Sequence, residues 1–252
     1  MRLENLQQGV LIRRYKRFLA DIDFGTSGVE TVHCPNPGAM TGLNSSGMRV
    51  WCSTSTNPAR KLPKTLELVE ADGSLVGINT NLPNRLMAEA LASGKLSQFS
   101  SWNHVQPEYS WKPGTRFDFC LKHQPGDATG LLLEVKNVHL RRDAGSGGAV
   151  GSGGGLAEFP DSVTSRGAKH LNHLAEAITE GWQAAMVYII QRGDCDRFAL
   201  ADDIDPVYAE AFAAARHSGV AAYAFGCSIT LQGNTGTLSI DDPLVLDLAL
   251  KE

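Results

Sequence analysis

The pattern of apolar and polar positions changes character about a third of the way along the chain. Up to residue 80 the apolar residues come in short runs broken by turn formers. "GVLIRRYKRFLADIDF" is strand-like and "GTSG" closes it with a turn. "VETVHC" follows, then "PNPGAMTGLNSSG", whose prolines, glycines and serines leave little room for a helix. "RVWCSTS" and "KTLELVEADGSLVGIN" supply two or three more strands, the last pair joined by a hairpin at Asp72-Gly73. Five or so short strands in roughly 75 residues suit a small barrel such as the OB-fold.

From Asn81 helical periodicity enters. "NLPNRLMAEALASG" predicts a helix with Pro83 near its start, Gly94 as its stop and Met87, Ala90 and Leu91 on one face. "RFDFCL" and "LLLEVKNVHL" read as strands. "PDSVTSRGAKHLNHLAEAITEGW" predicts a second helix, with Leu171, Leu174, Ala175, Ile178 and Trp182 recurring at helical spacing. "AAMVYIIQR" is a buried strand, "PVYAEAFAAARHSG" a third helix ending at Gly219, and "VAAYAFGCSIT" and "TGTLSI" finish a sheet. The fold class is therefore α+β in two domains: residues 1–80 an OB-fold-like barrel, and 81–252 an α/β sandwich with a mixed sheet. Ala144–Gly155 belongs to no element. Its seven glycines match neither G-x-G-x-x-G nor G-x-x-x-x-G-K-[ST] and do not open into a helix, so it reads as a linker rather than a phosphate cradle.

Composition narrows the class. With 252 residues, 42% of them hydrophobic and 20% charged, the chain is neither disordered nor fibrous. Its five cysteines are scattered, without C-x-x-C spacing, so neither a zinc site nor a disulfide framework is expected. No secretory leader and no apolar run of spanning length is visible, so the expected location is the cytoplasm, without a membrane partner.

Charge is unevenly distributed. The net value of −4 does not advertise a nucleic-acid binder, yet residues 1–80 hold nine Lys/Arg against seven Asp/Glu. Arg13, Arg14, Lys16 and Arg17 cluster in "IRRYKRF" around Tyr15 and Phe18, and Arg60, Lys61 and Lys64 in "NPARKLPK". Cations interleaved with aromatics suit phosphate contact and base stacking, while a charged edge that discourages aggregation is the plainer alternative.

The candidate chemistry lies in the second domain. Asp118 interrupts an apolar strand between Phe117 and Phe119, and Glu134 follows three leucines, with Lys136 two residues on and so on the same face. If the two strands pair across the turn at Gln124–Gly130, Asp118 comes close to Glu134. Buried charges of this kind do little for stability. Two adjacent carboxylates do make an oxygen-rich place for magnesium, with manganese a possible substitute, and Lys136 would contact a phosphate or a water. An ordinary same-face ion pair, with Asp118 on Arg116, is the alternative. Glu89 offers a third carboxylate from the first helix, or an i,i+4 pair with Arg85. Arg166, Lys169, His170 and His173 lie on the polar side of the second helix, where they either meet a phosphodiester or form a solvated face. Asp161 reads as its N-cap.

The arrangement of Glu89, Asp118 and Glu134-x-Lys136 resembles the PD-(D/E)xK nuclease superfamily, although Phe117 stands where proline precedes the first aspartate. More narrowly, "RYKRFLADI", "HCPNPGAMTGL", "WCSTSTNPARKLPKTLELV", "GINTNLPNRLMAEAL", "RFDF", "EVKNV" and "FPDSVTSRGAKHLNHL" together resemble the sugar fermentation stimulation protein A (SfsA) family. The resemblance implies an amino-terminal OB-fold, a PD-(D/E)xK nuclease-like carboxy-terminal domain, DNA binding and a role in regulating sugar (maltose) metabolism. It implies metal ligands in Asp118, Glu134 and Glu89, a catalytic lysine in Lys136, and phosphate contacts in Arg166 and Lys169. Two readings compete: a magnesium-dependent nuclease acting on DNA, and a non-catalytic DNA-binding regulator on the same scaffold. A sugar- or nucleotide-responsive sensor is a third, without a motif behind it.

Overall fold

A computed structural model describes residues 1–142 and 154–246. The Gly-rich stretch read as a linker, Ala144–Gly155, lies outside the described residues up to position 153. In chain order the elements are β1 Arg2–Leu3, β2 Gln7–Tyr15, β3 Leu19–Asp23, β4 Val29–His33, β5 Arg49–Thr54, β6 Lys64–Ala71, β7 Ser74–Gly77, α1 Leu82–Ala92, β8 His104–Lys112, β9 Thr115–Lys122, β10 Leu131–Val138, β11 Leu140–Arg142, β12 Gly155–Phe159, α2 Ser165–Thr179, β13 Gln183–Ile190, β14 Cys195–Leu200, α3 Pro206–His217, β15 Ala221–Gln232, β16 Thr235–Pro243 and β17 Val245–Leu246.

Strands β2 to β6 form a closed five-stranded barrel. They are ordered β4-β3-β2-β5-β6, and a parallel contact of His33 with Thr65 joins β4 back to β6. Strand β7 continues from β6 through Asp72-Gly73, both at positive φ (53° and 76°) as a two-residue hairpin turn requires. The stretch read as one strand, "GVLIRRYKRFLADIDF", is in fact the β2–β3 hairpin. It turns at residues 16–18, where Lys16 and Arg17 take φ of 49° and 65°. The turn-rich segment 34–48 contains no strand or helix; it folds Met40 and Leu43 inward to complete the barrel core with Ile22, Val32 and Leu66.

The second domain is built on a mixed seven-stranded sheet, β1-β16-β15-β13-β10-β9-β8. β10, β13 and β15 run parallel at its centre. That is why β13, "QAAMVYII", is apolar almost without alternation: parallel strands are covered on both faces. On one face Leu133, Val135, Ala185 and Val187 pack with Leu82, Leu86 and Met87 of α1 and with Trp51 and Leu68 of the barrel. On the other, Leu132, Met186 and Tyr188 pack with Leu171 and Leu174 of α2 and Tyr208 and Phe212 of α3. A smaller sheet, β11-β12-β14-β17, lies beside them.

Three features depart from the sequence pattern. Strand β8 was not anticipated, because Pro107 interrupts it and it is an edge strand whose residues are mostly exposed or half-buried. Arg2–Leu3 does not join the barrel but pairs with β16 at the far edge of the large sheet. Asp161 is not the α2 cap: Thr164 takes that role by accepting the Gly167 N–H at 3.2 Å. Asp161 instead accepts the Met40 N–H at 3.1 Å from the barrel and contacts His139 at 3.2 Å. No helix among the described residues is long and apolar enough to cross a membrane.

Candidate active site and nucleic-acid face

The site opens where two strands part. β10 pairs with β13 along its full length but with β9 only through Leu131, Leu132 and Leu133. At the next position, Glu134 on β10 and Asp118 on β9, the ladder stops. Asp118 Oδ2 accepts the Val135 N–H at 2.7 Å, so a side chain takes over from the partner strand's carbonyl. The alternation of β9 breaks at the same residue: Phe119 packs on the α1 side, whereas Phe117 packs on the α2–α3 side. Opposite Asp118 in the β8–β9 register lies Glu108, whose φ of 51° is the left-handed backbone that non-glycine residues seldom adopt.

The parted strands leave a cleft of about 410 Å³ whose lining includes Glu108, Arg116, Asp118, Glu134, Arg166 and His170. Glu134 is only 3% exposed. Its Oε1 accepts from Lys136 Nζ at 2.6 Å and from the His170 ring at Nδ1. Its Oε2 has no hydrogen-bond partner among the described residues. Asp118 is held by the Val135 N–H and by Asn84 Nδ2, which donates to Oδ1 at 2.7 Å. The two carboxylates titrate in opposite directions. Burial and the neighbouring Glu134 charge push Asp118 above its ordinary value. Burial pushes Glu134 up as well, but His170 and Lys136 outweigh it and hold that carboxyl below its usual range.

These observations test the fit of a magnesium ion. Among the described residues no three or more His, Cys, Asp or Glu side chains converge as a metal site. Magnesium does not demand such a cage; it retains waters and is commonly held by one or two carboxylates together with substrate phosphates. An Asp118 raised by burial and by its neighbour's charge and an unpartnered Glu134 oxygen are the donor set that a hard cation would relieve. Asp118 and Glu134 fit.

Glu89 does not belong to this arrangement. Its carboxylate, 54% exposed, lies 2.8 Å from the Met1 ammonium rather than at Asp118 or Arg85. Five positions separate it from Asn84, about 140° around a helix of 3.6 residues per turn, so the two cannot share a face. Asn84 is the α1 side chain that reaches the site. On α2, Arg166 lines the cleft, whereas Lys169 is exposed and outside the lining. The sequence reading missed Glu108, which pairs with Arg116 at 3.3 Å; a glutamate after a proline on an edge strand carries no signal of its own.

The barrel cations divide in two. Arg14 is structural: one Nη2 donates to the carbonyls of Arg17, Asn36 and Gly38 at 2.8, 2.7 and 2.8 Å, tying the β2–β3 turn to the segment after β4. Arg13 pairs with Asp21 at 2.7 Å and lies over the Tyr15 ring, and Lys64 pairs with Glu30. Lys16 and Arg17 sit exposed at the β2–β3 turn beside Phe18, itself 53% exposed. Arg60 and Lys61 sit exposed in the β5–β6 loop, with one Arg60 N–H given to Thr65 at 3.0 Å. In barrel order these are the loops between strands 1 and 2 and between strands 4 and 5, the pair through which OB-folds bind oligonucleotides.

Comparison with known proteins places the fold. Residues 12–78 match the SfsA N-terminal OB domain and residues 81–233 the sugar fermentation stimulation protein RE domain. A sugar fermentation stimulation protein homolog from Rhodospirillum centenum is 48% identical over 223 residues, 88% of this chain and 91% of that one. Its counterpart from Agrobacterium fabrum is 42% identical over 240 residues, 94% and 95% of the two chains. The solved structure of Pyrococcus furiosus SfsA in complex with Ca²⁺ superposes with a TM-score of 0.81 at 21% identity, covering 98% of this chain and 99% of that one. With both halves matched and the relatives aligned over most of their length, the chain belongs to the sugar fermentation stimulation protein A (SfsA) family.

Proposed function

We propose that this protein binds DNA and hydrolyses its phosphodiester bonds with the help of magnesium, manganese being an acceptable replacement. The observation that carries the reading is the parting of β9 from β10 at two carboxylates, one backed by a lysine, in a cleft that also holds Arg166. Folding gains little from opening a sheet there; a site for a phosphodiester gains a place to sit. The Pyrococcus furiosus relative was solved in complex with Ca²⁺, a hard cation that, like magnesium, prefers oxygen ligands.

Each residue then has a task. Asp118 and Glu134 would hold the ion, whose chemistry is to polarise the phosphoryl group and to make a bound water more acidic. Lys136 keeps one N–H on Glu134 and has two more to offer a phosphate oxygen or the attacking water. Arg166 presents a planar fork suited to a phosphate. Asn84 fixes the rotation of Asp118. The turns bearing Lys16, Arg17, Arg60 and Lys61 hold the nucleic-acid backbone, with Phe18 available for stacking. The site would work in the cytoplasm, where DNA and free magnesium meet.

The second reading, a DNA-binding regulator of sugar (maltose) metabolism genes without turnover, is favoured by one observation. Both Asp118 oxygens and one Glu134 oxygen are already satisfied by protein donors, so the site is stable as it stands. The test is cleavage of branched, single-stranded and duplex DNA with magnesium by the wild type, Asp118→Ala and Glu134→Ala. Magnesium-dependent cutting lost in both variants supports the nuclease. Binding of DNA by all three proteins without cutting leaves the regulator.

A further inference from the structure

We propose that His170 is a positioning residue that holds Glu134 in the orientation needed for a hard divalent cation. The inference rests on the nuclease reading and assigns a role to a side chain that the Asp118, Glu134 and Lys136 set does not include.

The placement begins with the way α2 is seated. Thr164 caps the helix at Gly167, and a Cβ at Gly167 would come within 2.9 Å of Thr164 Oγ1 and 3.0 Å of Tyr208 Cε2. Glycine thus lets the first turn press against α3. Arg166 and His170, four residues apart, share the helix face turned to the cleft, and both line it. The face of β10 beneath them carries Glu134 and Lys136, since Leu132 and Val138 of the same parity pack on the α2 side.

An ionised carboxylate can only accept, so the His170 ring nitrogen that meets Glu134 Oε1, Nδ1, carries a proton and donates it. The other ring nitrogen, Nε2, faces Arg166 at 3.4 Å. Lys136 donates to that same oxygen. Two donors on Oε1 pin a carboxylate that is almost wholly buried and leave Oε2 as its free oxygen. A cation arriving there would find an oriented ligand instead of one that must first break away from water or rotate. Hydrogen bonds to a metal's carboxylate ligands commonly change affinity by about 10–100-fold.

Asparagine in place of His170 keeps an N–H near the position of Nδ1, and alanine removes it. Magnesium titration calorimetry on the full chain should show His170→Ala binding about 10–100-fold more weakly than wild type, with His170→Asn recovering most of the loss. A purely structural role would instead show as parallel losses in both variants, tracking their melting temperatures. Nitrogen NMR of the metal-free wild type gives an independent readout: the ring should be protonated at Nδ1. Wild-type affinity in His170→Ala, failure of asparagine to restore binding to a folded variant, or a ring without a proton on Nδ1 each overturns the inference while leaving the nuclease reading intact. A wild type that binds no magnesium overturns that reading, and the role of His170 with it.

Discussion

Two arginines and a lysine within four residues should answer to different experiments. Lys16 and Arg17 are exposed at a strained turn with no acidic partner among the described residues, whereas Arg14 is bound to three backbone carbonyls. If Lys16, Arg17, Arg60 and Lys61 each neutralise one phosphate, four contacts at about 0.9 each give a log–log salt slope near −3.6 on duplex DNA. Affinity should then fall about 150-fold between 50 and 200 mM salt. Replacing Lys16 and Arg17 together by alanine should halve the slope, so that the same change of salt costs only about 12-fold. The melting temperature should hardly move, since no side-chain contact is lost. Arg14→Ala should do the reverse. Removing a cationic donor shared by three carbonyls costs about 2 kcal/mol, or roughly 4–8 °C for a chain of this size, with the salt slope of the folded protein unchanged. Fluorescence anisotropy of a labelled duplex across a salt series, with thermal melts of each variant, reads both quantities. An Arg14→Ala protein that keeps its stability and loses slope, or a double variant with the wild-type slope, would refute the division.

Other consequences can be checked separately. Asp118→Asn should abolish magnesium binding without lowering the melting temperature at neutral pH, because it removes a charge disfavoured by burial and by Glu134, while the new amide oxygen accepts the Val135 N–H and the Asn84 amide turns to accept from the new N–H; a loss of several degrees would contradict this. Gly38→Ala should destabilise by about 1–3 kcal/mol in a denaturant titration, since its Cβ would lie 2.6 and 2.8 Å from the Asp161 carboxylate oxygens. Asp161 is pushed up by burial but held below its ordinary value of 3.8 by His139 and the Met40 N–H, which outweigh it. The stability it contributes is present above that value and lost as pH falls through the lower folded one, so Asp161→Asn should flatten the acid limb of the stability–pH curve.

The legible part of the fold was whatever depends on local pattern. The Asp72-Gly73 turn, the α1 stretch between Pro83 and Gly94 and the continuous apolar run of β13 each follow from neighbouring residues alone. So did the shared face of Glu134 and Lys136, which period-two geometry requires. What failed to show depends on how elements meet. Glu89 had the right chemistry for the site, but the rotation of α1 against the sheet turns Asn84 toward Asp118, and no residue of α1 announces that phase. Arg14 looks like its basic neighbours until the segment around Gly38 folds over it. Glu108 reaches the cleft from an edge strand, and His170, visible in the sequence only as one of the cations and histidines on the polar side of α2, meets Glu134 itself, both set by packing over long sequence separations.

The short pairing of Arg2–Leu3 with β16 has a consequence for motion. The barrel leaves the large sheet through β1 and returns to it through α1, so it is an insertion held at both ends and not a bead on a single string. Gly77 and Gln191 (N–H to O, 2.8 Å) and Asp161 with Met40 fasten it further. A body tethered twice can rock but cannot swing, and the separation between its loops and the cleft becomes a property of the fold. On the nuclease reading the protein would act as a ruler, cutting at one constant offset from the point where the barrel grips. Severing the chain between Leu3 and Gln7 should turn one sharp product into a spread of lengths.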